Sequence, residues 1–431
     1  MIWALGWAQV VSWGTLYYGF PLFVLPMQQE FGWSLTLMNG ALSAGLLVSG
    51  LCTYGVGAWI DRHGGRALMT AGSVGAALLL AVWSQVTSIA LFYGIWLLLG
   101  VCLSAILYEP AFMVVGRHFG SDARRAITTM TLIAGFASTV GIPLIETLLA
   151  NYPWRSVLLV LAALHLVICV PIHYWFVPPR GTPVAHATIS AADEQDARVV
   201  MRRRLRDPVL WGMVLWFTAY SATAAGLVFQ LVPSQKALGV PSATLLTAVA
   251  LIGPSQVAGR IGMMWLGERA DLRVLGALTT GLIPISILIL ILSPPTLPGL
   301  ALFAVTFGMA NGITTILRGV APGEWLGREH LGRTMGLIGT PMLVMTALAP
   351  LVTAAVWSAS GSVHVMQWTV FAIALCGAAG FWFAAWRRQS TMKVAAALRS
   401  NSPTPPGAEA GSHTGTDSGT GAGAGAGAGE R

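Results

Sequence analysis

Twelve long apolar runs are the feature that most constrains how this chain can fold. A helix that crosses the roughly 30 Å hydrocarbon core of a bilayer needs about 20 apolar residues. Six runs of about this length precede a polar segment, and six follow it. They lie at about 2–26, 35–60, 67–86, 89–114, 126–149 and 154–177, and then at about 208–233, 242–266, 274–292, 297–321, 334–357 and 364–386. The sequence therefore predicts an all-α membrane protein with twelve transmembrane helices.

Composition supports a membrane protein and bears on its partners. Only 9% of the 431 residues are charged, whereas soluble domains average about 25%. A formal net charge of +8 would suit either nucleic acid or anionic lipid. Because the basic residues lie in short loops between the apolar runs, we expect contact with the lipid bilayer and no nucleic-acid partner.

The polar segment at 178–207 divides the spans into two equal sets. We predict an N-terminal six-helix bundle at 1–177, a cytoplasmic connector at 178–207 and a C-terminal six-helix bundle at 208–388. Ser, Pro, Thr and repeated Gly-Ala dominate residues 389–431, which we predict to be a disordered cytoplasmic tail. Within the connector, acidic residues precede a basic cluster, Arg202–Arg204 and Arg206. This order suits a helix whose basic end meets anionic headgroups, and equally a solvated linker.

Lys and Arg residues fall very unevenly on the two sides of the predicted spans. Of the 24 in the chain, only Arg155 and Lys236 lie in loops on the side opposite the connector, and Arg260 and Arg318 lie within runs. By the positive-inside rule, the connector and both termini are cytoplasmic. We expect an integral protein of a bacterial-type plasma (inner) membrane.

The two halves contain related stretches. The second run leads into GVGAWIDRHGGR (55–66) and the eighth into GMMWLGERADLR (262–273), each with an acid six residues after its first glycine. The fourth and tenth runs each contain one buried charge, Glu109 and Arg318. Two related halves are typical of secondary transporters.

The stretch Gly-Ala-Trp-Ile-Asp-Arg-His-Gly-Gly-Arg at 57–66 resembles the loop signature of the major facilitator superfamily, G-x-x-x-D-R-x-G-R-[RK]. The resemblance covers roughly 1–388 and departs at Gly65, where a basic residue is usual. It implies two pseudo-symmetric six-helix bundles and alternating access around one central site. The implied conformational-switch residues are Gly57, Asp61, Arg62, Gly64 and Arg66, with Glu268 and Arg269 in the related loop.

Two shorter stretches resemble the monocarboxylate porters and their oxalate/formate relatives. One is Tyr18-Gly-Phe-Pro21 in the first run, and the other is Gln256-Val-Ala-Gly-Arg260 in the eighth. In that group the eighth-span arginine holds the substrate carboxylate, and Arg260 occupies its position. Animal members have a lysine where this chain has Leu22 and an aspartate where it has Gln256, so a simple lactate/proton symport is not implied.

Charged residues inside the runs are independent indications of a site. An Arg or a carboxylate facing lipid at mid-bilayer costs about 2.5–3.5 kcal/mol on insertion scales. Glu109, Arg260 and Arg318 are therefore expected to line a cavity, or else to form a structural salt bridge such as Glu109 with Arg318. The other predicted substrate-binding residues are Gln256, Tyr17, Tyr18 and Asn311. His165 could be a hydrogen-bonded core residue or a proton carrier, and Glu146 is expected at the membrane surface.

The sequence favours a secondary active transporter over an enzyme. It contains no nucleotide-binding Gly-Lys-Thr loop and no plausible catalytic or metal-ligand cluster, so we expect no cofactor and no metal. We predict a monomeric symporter or antiporter that carries a small organic anion, a carboxylate, with protons or a counter-substrate. The alternatives are an exporter of drugs or metabolites, with Glu109 attracting a cation, and a non-transporting membrane receptor.

Overall fold

The computed structural model of the chain describes residues 1–179, 191–266 and 271–400. In the N-terminal half the helices are α1 (Ile2–Ser12), α2 (Phe20–Phe31), α3 (Leu35–His63), α4 (Arg66–Trp83), α5 (Ile89–Ile106), α6 (Tyr108–Phe119), α7 (Ala123–Ala134), α8 (Ala137–Asn151) and α9 (Trp154–Leu164). Short π-helical turns at Trp13–Tyr18, His165–Cys169 and Ile172–Phe176 continue the first and sixth spans.

The connector contains α10 (Ala191–Leu205), so the helical interpretation of its described residues is the observed one. The C-terminal half is formed by α11 (Pro208–Ala237), α12 (Ser242–Ala250), α13 (Ile252–Leu266), α14 (Leu272–Leu292), α15 (Leu297–Leu326), α16 (Leu331–Ser360) and α17 (Val363–Ser400). Spans are numbered below in chain order; spans 1, 4, 5, 6 and 8 each consist of more than one helical piece.

The predicted all-α architecture of twelve spans is confirmed. Eleven helical segments of the described residues are long and apolar enough to cross a membrane, and one of them, Ile89–Asn151, has 63 residues. That length suffices for two crossings at about 20 residues each. The chain reverses within it at Gly120, where φ is +52°, and α6 then packs against α7. Spans 4 and 5 are therefore both present.

Several helices extend beyond the predicted runs. Spans 10 and 11 were predicted at 297–321 and 334–357, and they are observed at Leu297–Leu326 and Leu331–Ser360. Hydropathy marks only the length of a helix that lies within the hydrocarbon core, whereas the hydrogen-bonded helical backbone continues into the polar interface. Span 12 likewise continues to Ser400, and residues 401–431 lie outside the described part. Residues Met1–Arg388 form one compact unit, so the predicted boundary between the bundles stays a prediction.

A proline explains the interruption of span 4. Pro110 has no N–H, so the carbonyl of Ile106, four residues earlier, loses its helical donor. The chain leaves the helical conformation at Leu107, with ψ −159°. The fully buried Gln9 of span 1 supplies the missing donor, since its Nε2 lies 2.7 Å from the Ile106 oxygen. Trp13 Nε1 in turn donates to Gln9 Oε1 at 3.1 Å.

The two bundles meet closely on the connector side. Spans 2 and 11 form the most extensive contact between them, and glycines allow it. A Cβ at Gly57 would overlap the carbonyl of Gly332, and one at Gly336 would lie 2.7 Å from the Cα of Tyr54. Without side chains at these positions the two backbones can approach.

The remaining contacts between bundles involve the pieces of the broken spans that lie toward the connector. Here α6 and α7 pack against α15, α6 packs against α16, and α7 packs against α13. The pieces toward the opposite side, α5, α8 and α12, make their main contacts within their own bundle. The interface between the bundles is therefore concentrated on the connector side, which is called the closed side below.

We expect Gln9→Met to destabilise the protein by about 1–3 kcal/mol, because it leaves the buried Ile106 carbonyl without a donor. Pro110→Ala restores the backbone N–H that would pair with the Ile106 carbonyl in an uninterrupted α-helix. Gln9→Met should therefore cost less in a Pro110→Ala background. Thermal unfolding in detergent of the two single variants and the double variant measures this coupling. Equal costs in both backgrounds would contradict the proposed pairing.

Candidate functional site

Arg260 of span 8 reaches across the interface into the N-terminal bundle. The residue is 3% exposed, and its Nη1 donates to the Thr131 carbonyl of span 5 at 2.9 Å. Gly135 makes room for it, since a Cβ there would overlap the Arg260 guanidinium. Gln256, one helical turn earlier on the same face, accepts a long hydrogen bond of 3.5 Å from Nη2.

The charge of Arg260 is only partly compensated. Thr131 lies in the last turn of α7, where the partial negative charge of the helix dipole favours a cation. Both observed acceptors, however, are uncharged, and the Arg260 Nε has no hydrogen-bond partner in the described part of the structure. Among the described residues no carboxylate forms an ion pair with it. A buried guanidinium therefore faces the other bundle without a counter-ion.

Arg318 of span 10, in contrast, has a counter-ion. Its Nη2 lies 3.2 Å from Glu109 Oε1 of span 4, so the charges pair across the two bundles. The atoms are at ion-pair distance but are not aligned as a hydrogen bond, since Glu109 Oε1 has no aligned donor in the described residues. Glu109 also lies in the first turn of α6, where the helix dipole stabilises an anion. The salt bridge left open by the sequence is thus the observed arrangement.

An aromatic group surrounds this pair. Tyr108 stacks on Phe112 with centroids 5.2 Å apart, and the Arg318 guanidinium lies 5.9 Å and 5.8 Å from these two rings. Trp13 lies 5.1 Å from Tyr108 and 6.2 Å from Tyr18. The rings therefore form a continuous wall from span 1 to span 4, which the Arg318 guanidinium of span 10 faces.

Two predicted residues belong to this wall, and one is engaged elsewhere. Tyr17 and Tyr18 are half-buried, and their rings pack edge to face with centroids 5.3 Å apart. The Arg260 charge is close enough to interact with Tyr18. Asn311 accepts a hydrogen bond from the Tyr220 hydroxyl of span 7. Its side-chain oxygen is therefore occupied within the C-terminal bundle.

The structure also shows the surroundings of His165 and Glu146, the two other ionisable residues considered in the sequence analysis. His165 is fully buried, and its Nε2 lies 2.8 Å from the Thr15 hydroxyl. This is the hydrogen-bonded core arrangement. Glu146 is exposed, as expected for a residue near the membrane surface.

The carboxylate of Asp61 caps a helix of the other bundle. It accepts hydrogen bonds from the backbone N–H groups of Gly332 at 2.9 Å and Arg333 at 2.8 Å. These are among the first N–H groups of span 11, which have no partner within their own helix. The preceding residue, His330, provides no side-chain cap. Asp61 therefore does for span 11 what an N-cap side chain normally does, and it does so from the opposite bundle.

Further contacts hold the switch loop that carries Asp61 in place. Arg117 of α6 donates to the carbonyl oxygens of Ile60 and Asp61 and lies 3.9 Å from the Asp61 carboxylate. Gly64 ends span 2 with φ +81°, a conformation that favours glycine. Arg66 Nε donates to the Val177 carbonyl at the end of span 6 at 2.8 Å.

The departure from the loop signature has a steric reason. A Cβ at Gly65 would overlap the side chain of Val114, so a basic side chain has no room there in this arrangement. Arg62 is partly buried within the same loop. Glu268 and Arg269, predicted for the related loop, lie outside the described residues.

Sequence reasoning missed several residues that form the site and the contacts between the bundles. Arg124 of span 5 and Glu324 of span 10 form a bidentate ion pair across the bundles, with Nη2 2.9 Å from both carboxylate oxygens. Nothing in the sequence pairs two loop-end charges 200 positions apart. The Thr131 carbonyl is a backbone group and carries no sequence signal. Gln9 could have been found, because it is an isolated polar residue in an apolar run.

The family follows from the sequence comparison. The model of the family described as Major Facilitator Superfamily matches residues 5–318. The chain belongs to this superfamily. The loop signature, the twelve spans and the two six-helix bundles described above are those of a superfamily member, and the predicted fold class is confirmed.

Individual proteins support the assignment at lower similarity. The chain is 24% identical to human monocarboxylate transporter 12 over 294 residues, which cover 59% of this chain and 56% of that protein. It is 28% identical to bovine monocarboxylate transporter 13 over 293 residues, 64% and 63% of the two chains. The aligned part thus spans little more than half of the first of these relatives.

Solved structures of the superfamily have the same fold. The human organic anion transporter MFSD10 superposes with a TM-score of 0.66 at 17% identity, covering 89% of this chain and 97% of the other. The transporter FucP in its outward conformation gives a TM-score of 0.63 at 16% identity, with 90% and 98% covered. At these identities the likeness concerns the fold alone.

We expect Asp61→Ala to loosen the closed connector side, since it removes two hydrogen bonds to the start of span 11, worth about 1–2 kcal/mol as a cap. In a variant whose only cysteine replaces the buried Ala123 at this interface, the thiol should react faster with a water-soluble maleimide once Asp61 is replaced. Glu146→Ala, which removes an exposed acid toward the opposite side, is the control. Equal reactivity of the two variants would show that Asp61 does not hold the interface closed.

Proposed function

We propose that the chain is a secondary active transporter that carries a small organic anion, a carboxylate, by alternating access. The observation that supports this most strongly is the buried, uncompensated guanidinium of Arg260 between the two bundles. A carboxylate ligand would supply its counter-ion, and arginine can bind a carboxylate through two parallel hydrogen bonds. Gln256, which stands where animal monocarboxylate porters have an aspartate, is uncharged and does not neutralise Arg260.

The charge balance favours an anion over a cation. Glu109 is the acid that would attract a cationic drug, but it is paired with Arg318. With this pair neutral, Glu109, Arg318 and Arg260 together leave one positive charge, that of Arg260. One monoanion would neutralise it. Two of the similar proteins, the organic anion transporter MFSD10 and monocarboxylate transporter 12, have names that agree with this choice.

The same helices connect the binding site with the closed side, which suggests how binding drives transport. On α7, Thr131 holds Arg260, while Arg124 holds Glu324. On α6, Glu109 holds Arg318, while Arg117 supports Asp61. A ligand that takes over Arg260 would release α7 from this contact, and the ion pair and the helix cap on the connector side would then open more easily.

Coupling to protons or to a counter-substrate would act through the second pair. A proton on Glu109 would remove its charge and free Arg318 to hold a second anionic group or a counter-substrate. FucP is a fucose:proton symporter, so proton coupling has a precedent on this fold. We further propose that the protein is a monomer in a bacterial-type inner membrane, with the connector and both termini cytoplasmic.

Replacing Arg260 tests the anchor directly. We expect Arg260→Lys to weaken binding of the best carboxylate by roughly tenfold, because lysine keeps the charge but loses the two-pronged geometry, and Arg260→Ala to nearly abolish it. The ligand is chosen by a thermal-shift screen of carboxylates, phosphorylated acids and lipophilic cations. Binding to purified protein and flux into proteoliposomes, with and without a pH gradient, are the measurements.

Arg125→Ala serves as the control, since Arg125 is an exposed arginine on α7, the helix that carries Thr131. Undiminished anion transport by folded Arg260→Ala would defeat the anchor. If the screen instead selects a cation, the exporter alternative gains, and Glu109→Gln should then abolish binding.

The orientation can be tested with single cysteines in a background that lacks the four native ones. Ser121 lies on the connector side and Thr87 in the loop between spans 3 and 4 on the opposite side, and both are exposed. In intact cells an impermeant maleimide should label Thr87→Cys and spare Ser121→Cys until the membrane is opened. The reverse pattern would invert the topology.

A further inference from the structure

A second charged cavity lies outside the transport site, at the junction of the connector and the C-terminal bundle. It has a volume of about 310 Å³ and lies between α10, the start of span 7 and the loop joining spans 10 and 11. Its lining consists of Val200, Arg203, Arg204, Asp207, Gly327, Arg328 and Glu329. None of these residues takes part in the transport mechanism proposed above.

The positive charges of this cavity exceed the negative ones. Three guanidiniums face two carboxylates, and one of these, Asp207, already accepts the Val209 N–H at 2.9 Å as the cap of span 7. Arg204 Nε has no hydrogen-bond partner in the described structure. Burial lowers the pKa of Arg204 below its usual range, although Asp207 and Glu329 act in the opposite direction. The neighbouring acids therefore do not fully compensate the half-buried guanidinium.

A glycine shapes this cavity. Gly327 ends span 10 with φ +90°, and a Cβ there would lie 2.9 Å from Arg204 Nη2. The absence of a side chain lets Arg204 lie directly against the loop that carries Arg328. Guanidiniums from two separate segments of the chain are thereby brought to one cavity, which a solvated linker would not do.

The surroundings are also basic. On the outward face of α10 a groove of about 610 Å³ is lined by Gln195, Val199 and four arginines, Arg198, Arg202, Arg203 and Arg206. Arg203 belongs to both the groove and the cavity. The helix lies at the ends of the spans, the level at which phospholipid headgroups are found. An anion that approaches along the groove would reach the cavity past Arg203.

We propose that this cavity binds a phosphate group, either that of an anionic phospholipid headgroup or that of a free phosphate compound, through Arg203, Arg204 and Arg328. A tetrahedral phosphate presents oxygens in several directions and can be shared by guanidiniums from both segments, whereas a planar carboxylate pairs best with one. The site is distinct from the carboxylate anchor at Arg260 and does not depend on it.

Occupation of the cavity would stabilise the closed connector side. The loop that carries Arg328 continues directly into the start of span 11, where Gly332 binds Asp61. His330 of this loop lies 3.4 Å from Asp196 of α10, which is a second contact between the same two segments. A phosphate bridging Arg204 and Arg328 would hold connector and loop together.

The test uses the full-length protein in two arms. In the first, delipidated protein in detergent is titrated with inorganic phosphate at constant ionic strength, and binding is measured by calorimetry. In the second, protein in nanodiscs with or without phosphatidylglycerol is examined by native mass spectrometry for lipid that stays bound. Both arms compare the wild type with Arg204→Gln and Arg328→Gln, and with the control Arg125→Gln. Arg328 is exposed, so its variant is expected to fold even if the Arg204 variant does not.

Loss of one charge-assisted contact should weaken binding by about tenfold or more in the two cavity variants and not in the control. If this loss is seen with inorganic phosphate, the ligand is a free phosphate compound. If it is seen only with retained phosphatidylglycerol, the ligand is a lipid headgroup. If neither ligand binds the wild type, or if all three variants behave alike, the proposal is overturned.

Discussion

Arg260 and Arg318, which lie at the interface between the bundles, impose the constraint on which the rest of the structure depends. A guanidinium removed from water loses solvation worth several kcal/mol, and only charges or well-placed hydrogen bonds restore it. Arg318 is compensated by Glu109 from the other bundle. Among the described residues, Arg260 has only a backbone carbonyl and an amide as partners. One arginine is thus satisfied within the protein, while the other is left one anion short, and the proposed transport function rests on that difference.

Helix breaks make these arrangements possible. Pro110 interrupts span 4, so that Glu109 lies in the first turn of a new helix, and Gln9 takes up the carbonyl that the proline leaves unpaired. The end of α7 offers the Thr131 carbonyl, and Gly135 provides the space that Arg260 fills. At both of these breaks a backbone carbonyl accepts a hydrogen bond from a side chain of another span. The pieces created by the breaks also form the interface on the connector side, so the site and the closed side share the same short helices.

The sequence predicted the architecture well, since twelve apolar runs in a bilayer can hardly become anything other than twelve helices. The loop signature correctly indicated the superfamily. The cost of buried charge singled out Glu109, Arg260 and Arg318, which lie at the interface between the bundles, and their role in a substrate site stays a prediction. What it could not supply were contacts made by backbone groups and by charges far apart in the chain. The Thr131 carbonyl, the Asp61 cap on Gly332 and the Arg124–Glu324 pair exist only once the bundles are packed together. Asn311, chosen as a polar residue in an apolar span, is instead bound to Tyr220.

The central claim is that a ligand carboxylate completes the charge of Arg260. An experimental structure of the protein with its best carboxylate ligand tests this most directly. We expect the carboxylate within hydrogen-bond distance of the Arg260 guanidinium, about 2.7–2.9 Å, with the contact to the Thr131 carbonyl lengthened or lost and the Glu109–Arg318 pair intact. A carboxylate bound elsewhere, with Arg260 still on Thr131, would contradict the account.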